Sequence, residues 1–125
     1  MRRSIEVGGF KHTNPIPAAS RIGNIVMSGV ITGKDARTGE LPATLEEQCA
    51  AMFVHVREII EAAGGTPDHI LKMTVWLRDQ SNRKALNEEW VKMFPDPARR
   101  PTRHALPHLG EHKALILCDF TAVIG

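Results

Sequence analysis

The segment from Leu115 to Val123 constrains the fold of this chain most, because neither of its faces is suited to water. Ile116, Cys118, Phe120 and Ala122 alternate as a fully apolar face, while Leu115, Leu117, Asp119, Thr121 and Val123 form a second one that is apolar with one acid in it. Successive side chains of a strand point to opposite sides, so a strand written this way must be covered twice. The segment from Ile70 to Arg78 repeats the pattern, with Leu71, Met73, Val75 and Leu77 on one side and Ile70, Lys72, Thr74 and Trp76 on the other. The first set is expected to pack on helices. The second, with Leu115, Leu117 and Val123, would leave an exposed hydrophobic patch on a lone chain. Equivalent faces of other subunits are expected to cover it; a small barrel closed within one chain is the alternative.

Two helices are available for the covered face. Leu45, Cys49, Met52, Phe53, Val56, Ile59, Ile60 and Ala63 recur at three- and four-residue steps and predict one apolar stripe. This helix starts near Thr44, with Glu47 in capping-box register, and stops at Gly64-Gly65, followed by Pro67. A second helix is expected from Asn82 to Phe94, with Leu86, Trp90, Met93 and Phe94 inward. Ile22 to Ile31, rich in Ile and Val and punctuated by Gly23 and Gly29, reads as an early strand. The expected architecture is α+β, a single mixed sheet of about six strands with two helices on one face.

At 125 residues the chain suits one domain, residues 1–125, with no repeat or linker. Its 16 Lys and Arg against 14 Asp and Glu leave a net charge of +2, too mild a balance to argue for a nucleic-acid partner. Cys49 and Cys118 fall in an amphipathic and an apolar segment, and read as buried thiols in a reducing compartment. No apolar stretch is long enough for a signal peptide or a membrane span, so a cytoplasmic location is expected.

Several local strings, in this order and spacing, resemble the RidA/YjgF family, also called L-PSP. They are Ser28-Gly29, Thr38-Gly39-Glu40-Leu41-Pro42, Gln48, Ala62-Ala63-Gly64, Leu71 to Asp79, Asn87, Phe94 and Pro101-Thr102-Arg103. The resemblance runs from about residue 20 to the end. It implies a chorismate-mutase-like fold, a homotrimer with a barrel-like interior, and clefts at the subunit interfaces that hold a small-molecule carboxylate. The activity it implies is hydrolysis of reactive enamine or imine acids to ammonia and a 2-oxo acid, with no cofactor. A non-catalytic module holding a 2-oxo acid in the same clefts is a second reading, and an endoribonuclease a third.

Under this resemblance Arg103 binds the substrate carboxylate, for which a planar guanidinium fork is suited. A surface arginine after a proline-rich turn is the plainer reading. Ser28 contacts ligand in the cleft, or is a strand-end serine satisfied by its own backbone. Asn87 lies near the site, or is an amide that holds a loop. Trp76 walls the cleft, or packs at the trimer interface.

The departures from the family pattern matter as much. Ala105 stands where a cysteine is common, and the chain has no tyrosine for the N-terminal loop, where Pro15 to Arg21 runs instead. Leu117 occupies the place of the glutamate that positions the attacking water, and leucine cannot pass a proton. Asp119 follows on the same side of the strand, displaced by roughly 6–7 Å, and is the candidate acid or base. His104, His108 and His112 recur every four residues. Pro107 and Gly110 oppose the helix that a metal reading needs, so no metal is expected. One of the three remains a candidate proton shuttle.

Overall fold

The computed structural model describes residues 1–125. In chain order its elements are β1 (Arg3–Ile5), β2 (Ala19–Ile22), β3 (Ile25–Ser28), β4 (Ile31–Thr32), α1 (Leu45–Ala62), β5 (Ile70–Leu77), α2 (Lys84–Met93), β6 (Thr102–Pro107) and β7 (Ile116–Val123). They make an α+β fold with one mixed sheet. The strands run in the order β1-β2-β3-β7-β5-β6, with β4 paired to β7 beyond the end of β3, and every pairing is antiparallel except β5 with β6. The sheet has seven strands rather than about six. The expected strand from Ile22 to Ile31 is broken: Gly23, at φ +55°, turns β2 into β3, and β4 resumes pairing only after Gly29 and Val30.

Helix α1 forms as its stripe predicts. Thr44 Oγ accepts a hydrogen bond from Glu47 N at 3.2 Å, while Glu47 Oε1 accepts from the Thr44 hydroxyl at 2.9 Å. Gly64 adopts φ +96° and Gly65 N bonds to Ile60 O, the left-handed stop that a side chain would strain. The buried face carries two polar residues besides the apolar stripe, Gln48 and His55. Gln48 accepts from Leu115 N at 2.9 Å and donates to Pro42 O at 2.8 Å, so it ties the entry of β7 to the loop before α1. Gly33 follows β4 so close beneath the helix that a Cβ would lie 1.9 Å from Gln48 O. Only glycine fits there.

Both helices share one core with a single face of the sheet: Met73, Val75 and Leu77 of β5, and Ile116, Cys118, Phe120 and Ala122 of β7. One expectation is corrected. Ile70, not Leu71, joins the core at the start of β5; Ile70 is 5% exposed and Leu71 is 61% exposed. A register shift between Ile70 and Lys72 inserts Leu71 as an extra residue, which flips the alternation at that end of the strand. The opposite face is uncovered, with Met27 at 57%, Ile25 at 51%, Val123 at 45% and Leu106 at 42% exposure.

Candidate functional site

The parallel pairing of β6 with β5 sets where Arg103 goes. It stands opposite Met73, on the side of the helices, while His104 stands opposite Thr74 on the uncovered side. The Arg103 guanidinium lies over the Trp90 ring at 4.8 Å, and its Nη2 donates to Asn87 Oδ1 at 2.9 Å. Arg103 and Asn87 are therefore brought together, through one turn of α2 and the outermost strand of the sheet. A second nitrogen, Nη1, is buried and has no partner. Burial, and then the charge of Arg83, hold the Arg103 pKa below its ordinary value. A guanidinium still keeps its proton at neutral pH, so this one is a fixed, partly desolvated cation whose buried Nη1 is unused.

The other sequence candidates sit elsewhere. The Ser28 hydroxyl accepts from Phe120 N at 2.9 Å and donates to Gly29 O at 2.8 Å, where β3 leaves β7 and before β4 takes over. Its hydrogen and one lone pair are spent on the broken ladder. Trp76 lies opposite Leu117 and Leu106, and Asp119 opposite Thr74, all on the uncovered face. Burial raises the Asp119 pKa, while the backbone hydrogen bond of Thr74 and the charge of Lys72 pull it down. A single chain thus holds its five candidates in three places.

The largest cavity, about 950 Å³, lies in a fourth. The loop through Phe10 and His12, strand β4, the turn at Gly39 to Ala43, and Leu115 and Leu117 enclose it. None of Arg103, Asn87, Ser28, Trp76 and Asp119 lines it, but Leu117, Gln48 and His112 do. His12 and Lys34 also line it, and the sequence carried no sign of either, since loop residues have no period to read. His12 Nε2 is buried without a partner. Burial, then the charge of Lys34, hold this imidazole below its ordinary pKa against the opposite pull of Glu6. Phe10 packs between His12 and His55 at ring distances of 5.2 and 5.1 Å, with the Lys34 ammonium over its ring at 4.7 Å.

The three histidines of the four-residue pattern part company. His104 is on β6, whereas His108 and His112 belong to the loop before β7, which Arg78 pins through the carbonyls of His108, Gly110 and His112. His112 Nδ1 accepts from Ala114 N at 3.0 Å, which leaves its Nε2 as the hydrogen-bearing nitrogen. Both cysteines are buried and free. Burial pushes the Cys49 thiol up to about 12 and the Cys118 thiol higher still, so neither is a nucleophile. No helix is long and apolar enough to cross a membrane.

Residues 12–108 match the family described as Endoribonuclease L-PSP. A RutC family protein of Aquifex aeolicus (strain VF5) is 35% identical over 101 residues, covering 81% of this chain and 69% of that protein. The crystal structure of RidA from the Antarctic bacterium Psychrobacter sp. PAMC 21119 superposes with a TM-score of 0.89 at 27% identity, over 98% of this chain and 99% of the other. TdcF of Escherichia coli, which carries a reactive-intermediate-deaminase name, is 35% identical over 68 residues, 54% of this chain and 53% of TdcF. Its crystal structure with bound serine matches over 98% of this chain and 99% of TdcF, with a TM-score of 0.89 and 24% identity.

Proposed function

The chain belongs to the Endoribonuclease L-PSP family, that of RidA and YjgF, and from this premise we propose that it is a hydrolytic deaminase of a small reactive enamine or imine acid. The observation that carries the reading is Arg103: a guanidinium aimed by Asn87 and Trp90, with a buried nitrogen that lacks an acceptor. A ligand carboxylate would supply that acceptor with a charge-assisted bond. The serine bound by TdcF is a small carboxylate-bearing molecule too.

The reaction itself is a balanced exchange. Water adds its oxygen to the imine carbon, the carbon–nitrogen bond breaks, and both water protons end on the departing ammonia, leaving a 2-oxo acid. Arg103 holds the carboxylate beside the reacting carbon and fixes its orientation. Such imines hydrolyse spontaneously, so the protein need lower the barrier only modestly. Leu117 cannot relay a proton; Asp119, with its raised pKa, is the acid of the uncovered face and the candidate for that task.

In this reading the active assembly is a homotrimer. Strand β5 separates the outermost strand β6 from β7, whose Leu117 lines the large cavity, so only a neighbouring copy would bring Arg103 to a cavity. The apolar groups of the uncovered face would meet their equivalents around the threefold axis. The two free thiols suit a cytoplasmic location.

The test is ammonia release from freshly generated 2-iminopropionate. The protein is expected to shorten the lifetime of the imine, and Arg103→Ala to abolish the effect. An imine lifetime unchanged by the wild-type chain would overturn the reading. Leu117, apolar and 8% exposed at the edge of the cavity, favours a second reading, a non-catalytic module that holds a 2-oxo acid. That module would gain thermal stability from 2-oxobutyrate without touching the imine.

A further inference from the structure

Arg103 is not the only guanidinium at its corner of the fold. Arg83 caps the N-terminal end of α2, one helical turn before Asn87, and residues four apart on a helix share a face. Asn87 is the residue that takes a hydrogen from Arg103, so the backbone position of Arg83 stands one turn from that hydrogen bond. The influence of Arg83 on the Arg103 pKa agrees with that placement. Arg83 is braced in turn by Gln80: its Nε donates to Gln80 O at 3.2 Å and its Nη2 to Gln80 Oε1 at 3.1 Å. Its Nη1 makes no hydrogen bond within the fold.

No carboxylate answers this pair of charges. The ion pairs of the chain join Arg37 to Asp35, Lys92 to Glu89 and Arg99 to Asp68, and the first turn of α2 holds no acid. Two donor nitrogens in the same group of residues, Arg103 Nη1 and Gln80 Nε2, are buried without an acceptor. Folded proteins satisfy nearly all such groups, and an unmatched one calls for an explanation. Here there are two, one on the Arg103 guanidinium and one on the amide that braces the Arg83 guanidinium. An anion resolves both anomalies.

A monocarboxylate would neutralise one guanidinium and leave the other without a counter-charge. We propose that Arg83 and Arg103 together bind a substrate with two carboxylates, Arg103 taking the one beside the reacting carbon and Arg83 the distal one. The inference rests on the reading of Arg103 given above and narrows its substrate class to dicarboxylic imine or enamine acids. Arg83 is then the residue that selects for the second acid group.

Calorimetric titration of the full chain at low salt with 2-oxopentanoate and 2-oxoglutarate compares one and two carboxylates on the same five-carbon backbone. 2-Oxoglutarate is expected to bind at least about tenfold tighter, roughly 1.4 kcal/mol. Arg83→Gln should erase that preference and leave 2-oxopentanoate unchanged, Arg83→Lys should keep most of it, and Arg103→Gln should weaken both acids. Equal affinities for the wild type would overturn the proposal while leaving the carboxylate role of Arg103 intact. Equal weakening of both acids by Arg83→Gln would do the same, since it would mean that one carboxylate is shared. Loss of neither acid in Arg103→Gln, or no binding of either by the wild type, would remove the underlying reading as well.

Discussion

The two sides of β7 differ by one residue step and by nearly everything else. On the helix side Cys118 and Phe120 are buried at 0% and 2% exposure, inside a core that one chain completes. On the other side Thr121, opposite Met27 of β3, and Asp119 are only half-buried, and Val123, opposite Ile25, remains 45% exposed. The composition of the two faces differs less than their environment does. One face has its partner in the same chain. The other carries apolar groups that nothing in the same chain covers, and the candidate site residues are distributed along that same divide.

Cutting into the covered face should have the largest effect. Phe120→Ala leaves a cavity in a core that no other chain can refill, and about 3–5 kcal/mol of stability should be lost, read from denaturant midpoints. A loss below about 1 kcal/mol would mean that this face is not the sealed one. The uncovered face should respond in a different property. Met27→Asp places a charge where copies would meet in the proposed trimer, so on that reading the wild type should sediment as a trimer and the variant as a single chain, while the fold survives by circular dichroism. A variant that still sediments as a trimer would break the contrast between the faces.

The smallest effect should come from Asp119, which sharpens the comparison through pH. Burial raises its pKa in the folded state, so over the window between the ordinary carboxylate value and the raised one the folded chain binds more protons than the unfolded one. Stability contributed by this group is present below that window and is lost as pH rises through it. Asp119→Asn removes the ionised form, and should melt slightly higher than the wild type at pH 7, with the difference vanishing below about pH 4. A lower melting temperature at pH 7 would show that the carboxylate is paired rather than merely half-buried.

Much of the fold was legible because periodicity survives in a linear text. The stripe of α1, its Thr44 start and Gly64 stop, and the apolar alternation of β7 all follow from residues within a few positions of one another. The Leu71 bulge was not legible, since nothing local distinguishes an extra residue from a regular one. Gly23 and Gly29 marked the early strand, but that they divide it depends on where β7 offers partners. For the site, the Pro101-Thr102-Arg103 context and Asn87 pointed to a pair that the structure joins by a hydrogen bond. Ser28 was named for a hydroxyl that serves the broken ladder, and His12, Lys34 and Arg83 were not named at all.

What the amino-acid order determined by itself is the set of elements and which of their faces avoid water, because both depend on short-range spacing. Only the tertiary structure decided which charges stand together. Arg103 meets Asn87 and Trp90 because β6 runs parallel to β5 beside α2, and that pairing joins residues far apart in the chain. The free energy that makes such a site unusual, a partly buried cation with an unmatched donor, exists only once the chain has folded around it.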